Sequence, residues 1–374
     1  MNMQPQARTI RLQFIDAAKT LAIYLVIVYH IGTTQENLIG RQGDETAYLQ
    51  YFFHGMAAIA VPLFFLINGY LVLNRTVLLR THLIKTLRLY ALTLIWSLII
   101  IVCLVSIGGG RYTAAEFARA VFLLKHGENN HLWFLFALVS IYLLLPAIKA
   151  IYDHDRRVIL WTLFLLFIFS FGNLAVNWCL NLGQAALGHS IDVVDGRIKR
   201  YQPFDIQGIN LFSGYAWVLV YFIAGGLLAR PLPGLKPIPV WGLCAVFLLG
   251  AFALFGYGLV ASEYLKPKMF DTAFDGYSSI PGLAMTLSAF MIMRRVGEES
   301  GPIAPLISSL GANTLGIYLL HVIVLRFLNH QWHELAVLNS MPITLAYAAL
   351  ILIASWLLTL LLKRVPVVGL LFRL

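Results

Sequence analysis

Apolar residues along this chain come in long unbroken runs, not in an alternating or narrowly amphipathic pattern. A helix that crosses a bilayer needs about 20 mostly apolar residues, and runs of that kind recur ten times. They fall near Leu12–Ile31, Phe53–Leu73, Lys85–Ile107, Leu132–Lys149, Val158–Leu180, Leu211–Ala229, Val240–Ser262, Tyr277–Met293, Leu306–Leu328 and Ile343–Leu362. The runs lack the short alternating segments of a membrane barrel. The pattern therefore predicts an all-α, polytopic transmembrane helix bundle of about ten spanning helices. No repeat, low-complexity tract or long linker divides it, so residues 1–374 read as a single domain. The longest connections, near Gly108–His131 and Asn181–Asn210, are too short to fold alone. Any chemistry belongs to the helices and their mouths.

Composition sharpens this picture. Of the 374 residues, 60% are hydrophobic and 12% charged, with a mean hydropathy of +0.79. A soluble domain carries about 25% charged residues, so a fully wetted surface is excluded. The net charge of +10 is spread thinly between apolar runs, which marks a cytoplasmic face and argues against a nucleic-acid partner. With the N-terminus inside, the inner segments hold 16 of the 27 basic residues and four acids, the outer segments 10 basic and 12 acidic. Both termini are expected in the cytoplasm. The first run follows Arg8 and Arg11 but carries Asp16, Lys19 and His30 and has no small-residue cleavage site; it reads as a retained helix. Cys103, Cys179 and Cys244 are odd in number and far apart, which offers no disulfide or zinc pattern.

Ionisable groups inside membrane helices are costly and mark candidate sites. At 100° per residue Lys19 and His30 lie within about 20° of one face, about 16 Å apart along the axis, with Asp16 within about 60° of both. Asp16 and Lys19 read equally as an interfacial ion pair or as part of a site; His30 reads as functional rather than as a helix cap. Asn68-Gly69, followed by Tyr70, is a helix-packing motif or a substrate contact. Arg75, Arg80, Lys85 and Arg88 obey the positive-inside pattern, and an anionic ligand arriving from the cytoplasm meets them first. Trp133 is an aromatic-belt anchor or, beside His131, the lip of a polar-substrate mouth. His321, in the run containing Tyr318, is expected at a depth comparable with His30. The three histidines lack the close spacing of a metal motif, so no metal is expected.

Taken together, Asp16-x-x-Lys-x-x-Ala-x-x-x-Val-x-x-x-His30, Val61-Pro-Leu-Phe-Phe-Leu-Ile-Asn-Gly-Tyr-Leu71, His131-Leu-Trp-Phe-Leu, Tyr142-x-x-x-Pro146 and Leu310-Gly through Gly316-Ile-Tyr-Leu-Leu-His321 resemble the acyltransferase 3 family of integral membrane proteins. The likeness spans nearly the whole chain and keeps the motif order. It is most similar to the short enzyme-only branch that includes the O-acetyltransferase of enterobacterial common antigen. The resemblance implies a multi-pass protein of the bacterial inner membrane that moves an acyl group, acetyl by default, from cytoplasmic acyl-CoA to a hydroxyl of an envelope glycan or lipid-linked saccharide. It also implies membrane lipid as the surroundings.

Carried over residue by residue, the family's essential histidine falls on His30, and its arginine eleven positions earlier falls on Lys19. Its cytoplasmic R-x-x-R falls on Lys85 and Arg88, and its Ser-Gly on Asn68-Gly69. Two Lys-for-Arg changes keep the charge but lose the bidentate grip on phosphate. On this reading Lys19, Arg75, Lys85 and Arg88 meet the phosphates of acyl-CoA, and His30, with Asp16 and Lys19, serves the chemistry. His131, Trp133, Asn68, Tyr70, Tyr318 and His321 face the acceptor. A transporter or flippase of a polysaccharide or lipid-linked precursor is the rival reading, and a non-catalytic assembly factor a third.

Overall fold

The computed structural model describes residues 12–31, 45–108, 111–122, 129–206, 215–230, 237–266, 269–296, 301–331 and 340–372. Arg8, Arg11, Lys236 and Arg373, which helped to set the expected orientation, lie outside the described residues, as do residues 211–214 of the sixth run. In their described residues all ten apolar runs form helix, since in hydrocarbon a backbone must satisfy its polar groups within its own segment.

The first run is α1 (Gln13–His30); the second starts in α2 (Glu45–Met56), passes one 3-10 turn and continues as α3 (Ala60–Val72). The third is α4 (Leu79–Gly108), and α5 (Ala114–Val121) follows it, closed by a Thr113–Glu116 capping box. The fourth and fifth are α6 (Trp133–His154) and the pair α7 (Arg156–Phe167) and α8 (Asn173–Ala186), joined by a π-helical turn at Ile168–Gly172. Then come α9 (Ala216–Leu228), α10 (Val240–Leu265), α11 (Ile280–Val296), α12 (Ala304–Ala312), α13 (Thr314–Gln331), α14 (Met341–Leu362) and the short α15 (Pro366–Gly369).

Among the described residues six helical segments are long and apolar enough to cross a membrane. The bent pair α12–α13 makes a seventh if counted as one span. The other three runs, α1, α9 and α11, are shorter or more polar, and α1 carries Asp16, Lys19 and His30. The protein is a polytopic helix bundle. The one strand pair among the described residues is a hairpin, β1 (Val193–Val194) with β2 (Arg197–Ile198), paired in the register Val193↔Ile198. Asp195 and Gly196, at φ 50° and 69°, form the tight turn that matches strand twist.

Packing centres on α1, which contacts α3, α11, α12, α13 and α14. Ala18 and Ala22 are fully buried there, small enough to let neighbours approach. α3 and α9 cross at close range. A Cβ on Gly69 would lie 1.7 Å from the Phe222 carbonyl oxygen, and one on Gly225 would lie 1.9 Å from that of Leu66. Gly69 is thus a packing residue.

The ninth run, expected as one helix, breaks at Asn313 with a bend of 78°. Two contacts fix the break. A Cβ on Gly311 would come within 2.5 Å of the Asp16 Cβ, so α12 is seated on α1, and Lys363 Nζ donates to Asn313 Oδ1 at 2.7 Å.

Candidate active site

Three imidazoles meet at the end of α1. His30 is its last residue, His131 sits just before α6, and His321 lies on α13 beyond the bend. Ring centroids are 5.2 Å apart for His30–His321, 6.1 Å for His30–His131 and 5.5 Å for His131–His321. Interplanar angles of 74–83° make every pair edge-to-face. Equal depth, expected from sequence, has become contact.

Each ring is aimed by the backbone that carries it. His30 Nδ1 lies 2.8 Å from the Val26 carbonyl oxygen, one turn back on α1. A carbonyl only accepts, so Nδ1 holds the hydrogen and the neutral ring keeps its lone pair on Nε2. His321 does the same through Nδ1 and the Tyr318 carbonyl, 2.6 Å away. Nε2 of His321 and Nε2 of His131 are buried without a hydrogen-bond partner among the described residues. Buried polar atoms left unpaired are rare and costly, and two of them in one cluster mark a place built to receive a polar group. The Tyr318 hydroxyl donates to the His131 carbonyl and ties α13 to the start of α6. Trp133 completes the wall with ring contacts to Tyr215, Trp217, Phe274 and Tyr277.

A second group backs His30. Tyr29 meets the His30 ring edge-on at 5.3 Å and stacks on His54 at 5.6 Å. Both donate to Asp271, Tyr29 at 2.9 Å and His54 Nε2 at 3.1 Å, and the backbone N–H groups of Ala273 and Phe274 add two more bonds. Burial opposes the charge on Asp271, but the bonds from His54, Phe274 and Tyr29 outweigh it and hold the carboxyl below the usual carboxylate range. Sequence reasoning missed this group. The signal was present for His54, an ionisable residue inside the second apolar run; Asp271 entered only the charge balance.

The remaining candidates are not brought to the histidines. Asp16, buried against Gly311, and half-buried Lys19 stay near the start of α1. Between Lys19 and His30 the expected polar stripe is interrupted by Ile23, Val26 and Ile27, which are at most 3% exposed. Tyr70 packs on Phe14, at the opposite end of α1 from His30, with the Arg294 guanidinium 6.0 Å from its ring. Asn68 Nδ2 donates to Phe64, and its Oδ1 accepts from the Tyr142 hydroxyl at 2.9 Å. Arg75, Lys85 and Arg88 are exposed at and before the start of α4. Nearby, Pro146 has no N–H for the Tyr142 carbonyl one turn back; His82 Nε2, 2.6 Å away, supplies the missing donor. Among the described residues no group of three His, Cys, Asp or Glu side chains is placed to hold a metal ion.

Comparison with known proteins gives one match. A family model described as an acyltransferase domain (Acyl_transf_3) matches residues 12–360. No curated protein and no solved structure matches the chain.

Proposed function

The chain belongs to the acyltransferase 3 family, and from that premise we propose that it is an O-acyltransferase, acetyl by default, acting between cytoplasmic acyl-CoA and a hydroxyl of an envelope glycan or lipid-linked saccharide. The observation that carries this reading is His30, whose Nδ1–H is committed to Val26 while its other nitrogen keeps the lone pair. A general base needs that arrangement. In direct transfer, Nε2 takes the acceptor hydroxyl proton as the oxygen attacks the thioester carbonyl. The C–S bond then breaks, and the departing CoA thiolate recovers the proton from the imidazolium. Alternatively Nε2 attacks the thioester carbonyl and expels the CoA thiolate, and the acceptor oxygen then displaces Nε2 from the acyl carbon as its proton passes to that thiolate.

The other rings divide the remaining work. His321, whose Nδ1–H is committed to Tyr318, accepts from an acceptor hydroxyl through the lone pair of Nε2, the unpartnered Nε2 of His131 donates to the developing oxyanion, and Trp133 and Tyr318 shape the mouth. The exposed Arg75, Lys85 and Arg88 receive the phosphates of the donor, with Lys19 at the inner end of α1. The acyl arm must then pass the aliphatic layer of Ile23, Val26 and Ile27.

The test is mass spectrometry of envelope glycans from bacterial cells with and without the gene. Loss of one acyl group per modified residue supports the enzyme; loss of the whole polymer supports export instead.

A further inference from the structure

A cleft of about 580 Å³ opens between α8, the β1–β2 hairpin, α10 and the segment before α11. Its volume lies in the range of small-ligand sites. None of the residues of the family motifs quoted above lines it.

Its walls are preformed. Asn173, Asn177 and Asn181 recur at four-residue spacing and so share one face of α8. Buried amides in an apolar helix need partners, and these three find them on the connection after α8 and on α10. Asn173 donates to Asp205 at 2.9 Å and accepts from the Phe204 N–H at 3.0 Å. Asn177 accepts from the Tyr201 N–H at 2.6 Å and donates to the Tyr201 carbonyl. Asn181 donates to the Tyr257 hydroxyl at 2.9 Å, and Tyr257 stacks on Trp178 at 3.9 Å.

The charge on the walls is unbalanced. Arg197, Lys199 and Arg200 line the cleft within four residues, on the face that the charge pattern assigns to the outside, where Lys and Arg are disfavoured. The two acids of the lining are already engaged. Asp271 is held by Tyr29, His54 and two backbone N–H groups, and Asp275 by Arg200. Lys199 stands 3.9 Å from Asp192, with both side chains about half exposed at 47% and 53%, a weak pairing. Arg197 has no ion pair among the described residues. The lining thus holds three cations against two carboxylates, and Arg197 and Lys199 are the cations not bonded to either carboxylate.

The cleft also reaches the histidines. Asp271 is part of its lining and accepts from Tyr29, the neighbour of His30. Phe274, 45% exposed, lies in the lining and touches the Trp133 ring at 6.3 Å. Its open face suits the apolar side of a sugar ring, one side chain away from the site.

We propose that this cleft is the acceptor subsite and that it takes an anionic saccharide, its carboxylate or phosphate held by Arg197 and Lys199 and its sugar ring laid on Phe274. The acceptor role rests on the enzyme reading above; the binding of an anionic sugar does not.

The test is calorimetry on the whole protein in lipid nanodiscs, with tetragalacturonate, neutral maltotetraose and glucose 1-phosphate as probes. Tetragalacturonate should bind saturably, at least ten-fold tighter than maltotetraose, and more weakly as salt rises. The double variant R197A/K199A should lose at least ten-fold in that affinity and R197E/K199E more, with melting temperatures unchanged because both side chains are exposed. Displacement by glucose 1-phosphate would assign the anion to a phosphate, and its failure to displace to a carboxylate; either supports the subsite. Equal binding of the charged and neutral probes, no binding of either anion, or unchanged affinity in both double variants overturns it. His30→Gln should bind tetragalacturonate as the wild type does. Binding without any gene-dependent acylation would defeat the enzyme reading alone. Acylation whose acceptor KM is untouched by R197E/K199E would defeat the cleft alone.

Discussion

At the His30 end of α1 the polar groups are rings, packed within 5.2–6.1 Å of one another and aimed by main-chain carbonyls. At the Phe14 end they are cations that close off helix termini and pairs. Arg294 Nη1 donates to the carbonyl of Leu228, the last residue of α9, at 2.8 Å, and Arg230 lies over the Tyr152 ring at 3.9 Å and pairs with Asp153 at 3.2 Å. Cations at helix C-termini oppose the negative end of the dipole, and exposed ones remain for a ligand. The unpartnered ring nitrogens of His131 and His321 lie at the first end, whereas Arg294 and Arg230 at the second are bonded. That difference is what separates the two ends in the proposed reaction, chemistry at the first and donor phosphates at the second, since unpartnered buried polar atoms are rare and call for an explanation.

Four experiments test the contrast. The largest effect belongs to His30→Gln, which should cut acyl transfer by about 10²–10⁴-fold, the usual worth of a general base. Glycan acyl content by mass spectrometry reads the loss, and an immunoblot should find the protein still in the membrane; activity near wild type would end the assignment. Next come His131→Gln and His321→Gln, expected to lower turnover by up to about 10²–10³-fold with donor KM held. A rise in donor KM instead would move those rings out of the acceptor site. At the other end, K85A/R88A should raise the KM for acyl-CoA about ten-fold at low salt with kcat little changed, and the difference should shrink as ionic strength rises. A fall in kcat alone would erase the division between the ends.

The smallest effect concerns Asp271. Its folded-state carboxyl titrates below the ordinary value of about 3.9. Its ionised form therefore adds stability above that value, and the contribution disappears as pH falls through the lower, folded value. Thermal melts of the wild type should lose several degrees between pH 5 and pH 3, and Asp271→Asn should flatten that limb while starting lower.

The helical, membrane-spanning class was legible because apolar runs of bilayer length leave the backbone no alternative to helix. His30 was legible for a related reason, since an ionisable group in such a run is costly enough to need a purpose. The packing role of Gly69 was half legible. Spacing offered a close approach, but only the 1.7 Å that a Cβ would leave to the Phe222 oxygen decided it. The motif Tyr142-x-x-x-Pro146 was visible as a pattern, whereas its use of His82 as the donor that proline lacks was not. The hairpin turn at Asp195-Gly196 carried a known signal, outweighed by the helical character of everything around it.

The order of helices, the intramembrane histidines and the excess of cations on one face are local properties, and a linear pattern of hydrophobicity and charge suffices to determine them. Contact among His30, His131 and His321 needed the 78° bend at Asn313, fixed by Gly311 against Asp16 and by Lys363 against Asn313. The Asp271 cluster needed a loop folded back onto α1 and α2. Both depend on residues hundreds of positions apart meeting in space, and a helical period carries no information about which face a distant segment will seek. The fold decided where the polar atoms converge, because only three-dimensional packing settles which of them stay unpaired.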